Sequence, residues 1–150
     1  MGFSAALVLL VLIFAAPFIA APGSYLGLDG APGIIDHRWD ASEFPYLLGD
    51  FLCHQQTDRS FILNGNQMPF CARDVGLLLG FAVGMALCTF LDTRLSDRRF
   101  GIAGFLLACV TAVQWLMQDM AFDSSEIRLV TGIVSGFGVA LFLCWVFYRE

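Results

Sequence analysis

Four apolar runs constrain this chain more than any other feature: Phe3–Ala21, Val75–Leu91, Phe100–Met117 and Leu129–Phe147. A helix needs about 20 apolar residues to cross a hydrocarbon core roughly 30 Å thick, and each run meets or approaches that length. Lipid cannot satisfy free backbone N–H and C=O groups, so runs of this kind cross as helices. The second is the shortest, and its ends must lean on flanking polar residues or on protein cover. Composition agrees, since 58% of the 150 residues are apolar and 14% are charged, against about 45–50% and 25% in soluble domains. The expected fold is an all-α membrane protein in a single domain. Its four transmembrane helices carry a lid over residues 22–74.

All eight basic residues are Arg and the net charge is −5, which excludes a nucleic-acid binder working through a basic face. The expected partner is the lipid bilayer. The first run is read as a retained helix rather than a signal peptide, because it lacks a basic n-region and Pro22 follows the candidate cleavage point at Ala21. Short cytoplasmic loops collect Arg and Lys. The loop Asp92–Arg99 holds Arg94, Arg98 and Arg99, which places both termini in the cytoplasm of a plasma-membrane protein and residues 22–74 outside. That outer segment has seven carboxylates against Arg38, Arg59 and Arg73.

Close approach of helices in lipid depends on small residues. Gly76, Gly80 and Gly84 form a stripe at four-residue spacing, and Gly101, Gly104, Gly132, Ser135, Gly136 and Gly138 offer counterparts. The stripe serves either packing within the bundle or an interface to a second copy or a membrane partner subunit. Gln114, Gln118 and Asp119 lie near the outer end of the third span. No chain of intramembrane carboxylates or histidines marks a proton path, so transport is not expected.

Residues 22–74 are too many for a featureless loop. Pro22–Asp40 is rich in Gly and Pro, and His37 among its Asp residues reads as solvated. Ser42 then caps a short helix with Phe44, Leu47, Leu48, Phe51 and Leu52 at helical spacing, suited to lie on the membrane surface. Asn64-Gly65 behind an apolar run favours a tight hairpin. The hairpin returns Cys71 and Asp74 toward Cys53 and His54, so four potential metal ligands converge. Thiolate, imidazole and carboxylate suit zinc. Met68 would tip the set toward copper, and a Cys53–Cys71 disulfide is the competing arrangement. Cys88, Cys109 and Cys144 fall within spans and read as packing residues.

At these residues the chain resembles a known family. Cys53-His54-Gln55, Arg59-Ser60-Phe61 and Gly65-Asn66-Gln67-Met68-Pro69-Phe70-Cys71-Ala72-Arg73, followed by Gly76, are similar to the signature of the small membrane proteins called domain of unknown function 2085. The resemblance is specific over Leu52–Gly84 and implies a multi-pass membrane protein without supplying an activity. The family pattern reads Cys-Ala-Arg-Cys where this chain ends on Asp74, a harder ligand or one that leaves a coordination position open to water.

No Cys-x-x-Cys, haem-attachment motif, phosphate-cradling Gly loop or Ser-His-Asp set is present in the sequence. The leading expectation is therefore an accessory, structural or binding component whose lid is organised by zinc through Cys53, His54, Cys71 and Asp74. Two alternatives are a membrane thiol–disulfide oxidoreductase cycling Cys53 and Cys71, and a zinc-dependent membrane hydrolase with Asp74 or Glu43 as base. Arg59 and Arg73 flank the site, paired with outer Asp or lipid phosphate, or anchoring an anionic ligand.

Overall fold

The computed structural model describes residues 2–90, 97–117 and 124–147. Its helices are α1 (Gly2–Ile19), α2 (Phe44–Leu52), α3 (Ala72–Phe90), α4 (Arg98–Ala108), α5 (Val110–Met117) and α6 (Ser125–Phe147), with a hairpin of β1 (Ile62–Leu63) and β2 (Asn66–Gln67) between α2 and α3. Helices α1, α3, the α4–α5 pair and α6 are each long and apolar enough to cross a membrane. Helix α3 starts at Ala72, so Arg73 and Asp74 sit in its first turn rather than in the preceding lid.

The bundle is built around α3 and α6, which run parallel. A Cβ on Gly76 would overlap the Leu129 carbonyl, one on Gly80 the Ile133 carbonyl, and one on Gly84 the side chain of Ala140. From the other side, Gly132 and Gly136 meet the carbonyls of Arg73 and Leu77. The glycine stripe is thus used up inside the chain. An interface to a second copy through Gly76, Gly80 and Gly84 does not fit, because α6 already covers all three.

Helix α1 packs antiparallel on α3, with Phe3 and Phe90 in edge contact at 6.3 Å and Ala6 and Leu10 against Ala82. Helices α4 and α5 run antiparallel to α6, where Gly104 meets Gly138 and Phe142. The break between α4 and α5 has a local cause. Thr111 N–H donates to Ser135 Oγ at 2.8 Å, and Ser135 Oγ donates to the Leu107 carbonyl at 3.2 Å. A hydroxyl from α6 has entered a rung of the i to i−4 ladder, an established cause of helix bending. It also satisfies the freed backbone groups within the span.

The starts of α3 and α6 and the end of α1 meet at one end of the bundle, where residues 20–71 form the lid. Asn64 and Gly65 both have positive φ, 51° and 72°, the mirror-image turn that Asn-Gly favours, and the strands pair Ile62 with Gln67 and Leu63 with Asn66. The hairpin then caps α1: Asn66 Nδ2 donates to the carbonyls of Pro17 at 2.9 Å and Ala21 at 3.0 Å. These groups at the helix end lack intrahelical partners.

Helix α2 buries Tyr46, Gly49 and Asp50 against the lid interior and leaves Phe44, Phe51 and Leu52 exposed. Beneath it Tyr46 stacks on Tyr25 at 4.2 Å and on Trp39 at 5.6 Å. Asp50 is fully buried and accepts from Trp39 Nε1 at 2.7 Å and His37 N at 3.0 Å, with His37 Nδ1 at 3.3 Å. His37 is therefore a partner of a buried carboxylate rather than a solvated side chain. Burial opposes ionisation of Asp50, but these hydrogen bonds outweigh it and hold its pKa below the usual carboxylate value.

Candidate metal centre

Two short straps bring the site together. Gln55, two residues after Cys53, is fully buried and donates from Nε2 to the Pro69 carbonyl at 2.8 Å, two residues before Cys71. Gly49 permits this approach, because a Cβ there would collide with the Pro69 carbonyl. Gln67 returns the tie by donating from Nε2 to the Gln55 carbonyl, and Tyr46 Oη donates to the Gln67 carbonyl at 2.9 Å. A side-chain network thereby clamps two segments 18 residues apart in sequence.

Cys53 caps the end of α2, Cys71 immediately precedes α3, and Asp74 lies in the first turn of α3. One ligand atom from each lies within 4.8 Å of the others. Cys71 N–H donates to Cys53 Sγ at 3.3 Å, and Cys71 Sγ stands 3.2 Å from Asp74 Oδ2. Both cysteines carry free thiols. The two sulfurs are not equivalent. The side-chain contact between the two sulfurs, in which the Cys53 thiol is the donor, pushes that thiol up, reinforced by burial and the Asp74 charge. As the acceptor in that sulfur–sulfur contact, Cys71 is held below its ordinary value, aided by the Asp74 backbone N–H and opposed by burial. Cys71 is the more acidic of the pair.

His54 lies outside the cluster. Cys53 has extended backbone, φ −131° and ψ 153°, and neighbouring side chains in such a segment point apart. Cys53 turns inward while His54 is exposed, at the edge of the same cavity. Met68 packs among Ile13, Cys53, Phe70 and Val75, so apolar contact accounts for its position. Glu43 is elsewhere in the lid: it accepts from Asp40 N–H at 2.7 Å and from the Tyr25 hydroxyl. It does not line the cysteine cavity, and a role there as base is not supported.

The cavity, about 220 Å³, is walled on one side by Cys53, Cys71 and Asp74. Arg59 and Arg73 line it, as does Arg128 from the first turn of α6. Arg128 has no local signature of the site in the sequence, since only the parallel pairing of α3 with α6 carries it to the start of α3. Arg73 Nη2 donates to Gln114 Oε1 at 2.7 Å and so ties α3 to α5. Gln118, Asp119 and Arg94 fall outside the described residues.

The family described as "Predicted membrane protein (DUF2085)" matches residues 53–142, which is more than half of the chain. The chain belongs to this family. The match begins at Cys53 and covers the hairpin, the cysteine cluster and most of the bundle, well beyond the stretch Leu52–Gly84 in which the resemblance is most specific. An uncharacterized protein of Methanocaldococcus jannaschii is 28% identical over 108 residues, covering 69% of each chain. An uncharacterized protein of Methanothermobacter thermautotrophicus is 30% identical over 97 residues, 61% of this chain and 83% of its own. No solved structure matches.

Proposed function

We propose that this family member is a small accessory or binding protein of the plasma membrane whose lid is organised by one zinc ion held by Cys53, Cys71 and Asp74. The observation that carries the reading is the convergence of three ligand atoms within 4.8 Å. Two thiols and a carboxylate fit zinc, which takes Cys and Asp ligands in a compact tetrahedral shell. Metal binding adds its free energy to folding, and a zinc here would cross-link the end of α2 to the start of α3. The fourth position is left to water or a ligand entering from the cavity that His54 borders. Bound zinc would supply either a structural cross-link or, with that position open, a Lewis acid.

The Arg distribution supports a topology with residues 22–74 outside and both termini in the cytoplasm. Support comes from the bundle, in which the starts of α1 and α4 and the ends of α3 and α6 share the end opposite the lid. The test is elemental analysis of purified protein beside a Cys71→Ser variant. Zinc in the parent and its loss in the variant sustain the reading, and equal zinc in both removes it.

A second reading has its own observation. An acidified, half-buried Cys71 in contact with a buried Cys53 of raised pKa is the asymmetry that thiol–disulfide chemistry uses. A redox titration separates the two. A cycling pair lies above about −300 mV, where structural disulfides do not.

A further inference from the structure

The cavity beside Cys71 has a wall that the metal reading leaves unused. Arg59 comes from the lid, Arg73 from the first turn of α3, and Arg128 from the first turn of α6. Guanidinium groups stay charged under all ordinary conditions, and Arg128 is 3% exposed. The three line one cavity of about 220 Å³, so an anion entering it meets positive charge from three separate elements. Among the described carboxylates, Asp74 lines the wall and Asp58 stands 3.7 Å from Arg59 Nε. Arg59 Nε and Gln56 Oε1 are both buried without a hydrogen-bond partner among the described residues, and both residues line the cavity. Helices α3 and α6 also begin here and run parallel, so two positive dipole ends reinforce the same preference.

We propose that this cavity binds a phosphate-class anion. A tetrahedral oxyanion offers enough oxygens to engage several guanidinium forks at once. The unfilled Arg59 Nε–H would donate to one oxygen, and the unfilled Gln56 Oε1 would accept from a protonated oxygen of the same group. The site does not depend on zinc, because none of the three Arg can ligate a metal. The phosphate can belong to a soluble molecule or to a lipid headgroup.

The test uses the full chain, purified in phosphate-free neutral detergent with EDTA present. It is titrated by calorimetry with inorganic phosphate and, separately, with dihexanoyl phosphatidylglycerol. Saturable binding of inorganic phosphate assigns the site to soluble anions, and saturable binding of the lipid alone assigns it to headgroups. In either case Arg59→Gln should weaken binding by about tenfold, the worth of one charge-assisted hydrogen bond. Arg59→Lys keeps the charge but not the fork, and should weaken it less. The lysine variant carries the test if the glutamine variant no longer gives the parent melting curve. No saturation with either probe, or equal affinity in parent and variants, overturns the proposal.

Discussion

Gln55 Nε2 donates to the Pro69 carbonyl at 2.8 Å, a central tie between the segments that carry Cys53 and Cys71. The donor is fully buried, so its loss strands the Pro69 carbonyl without water to replace it. Leaving a buried polar group unsatisfied costs about 1–3 kcal/mol. We predict that Gln55→Leu lowers lid stability by that amount and reduces zinc retention, while the bundle stays folded. Hydrogen exchange of residues 44–71 against residues 76–90 checks this: faster exchange confined to the first group is the expected outcome.

The α3–α6 contact gives a sharper test of the bundle. Gly80 lies against the Ile133 backbone with no room for a Cβ, and overpacking costs about 1–3 kcal/mol or more. Gly80→Leu should therefore lower the melting temperature in detergent far more than Val83→Leu, whose site is exposed. A Gly80→Leu protein as stable as the parent would remove the parallel α3–α6 packing.

Asp50 sets an acid limit on the lid. Its pKa in the folded chain is lowered, so its contribution is fully present above the unfolded carboxylate value of about 3.9. That contribution is lost as pH falls through the lower folded value. Trp39 donates directly to this carboxylate. In a Trp115→Phe, Trp145→Phe background, Trp39 emission should hold steady at neutral pH and shift only below pH of about 4. Asp50→Asn should abolish that acid transition and lower stability by about 1.5–3 kcal/mol, as expected for hydrogen bonds to a charged group.

The two lid thiols should also separate chemically. Thiolates, not thiols, are alkylated, and Cys71 is both more acidic and less buried than Cys53. Brief iodoacetamide treatment of EDTA-treated protein, read by peptide mass spectrometry, should label Cys71 first. Zinc added beforehand should protect it. Preferential labelling of Cys53 would reverse the assignment of the more acidic sulfur.

Much of this arrangement is legible in the chain because it follows from local rules. The four apolar runs have few alternatives in a bilayer, and Asn64-Gly65 demands a turn that only a few residue pairs adopt readily. The convergence of Cys53, Cys71 and Asp74 follows from that turn. Other features depend on long-range packing and leave little local trace. His54 looks equivalent to Cys53 until the extended backbone sends the two side chains apart. Arg128 reads as a loop charge until α6 is laid parallel to α3. Asp50 is legible only as one of seven outer carboxylates, whereas Trp39 and His37 draw it inside. The stripe at Gly76, Gly80 and Gly84 announces a close contact without naming the partner, because α6 and a second subunit would need the same small residues.

The central claim is that Cys53, Cys71 and Asp74 hold a metal, and elemental analysis beside a thiol count tests it most directly. We predict about one zinc per chain in the parent, with Cys53 and Cys71 unreactive until the metal is chelated, and its loss in Cys71→Ser. Protein without metal, in which Cys53 and Cys71 are joined as a disulfide or titrate freely without chelator, would contradict the claim.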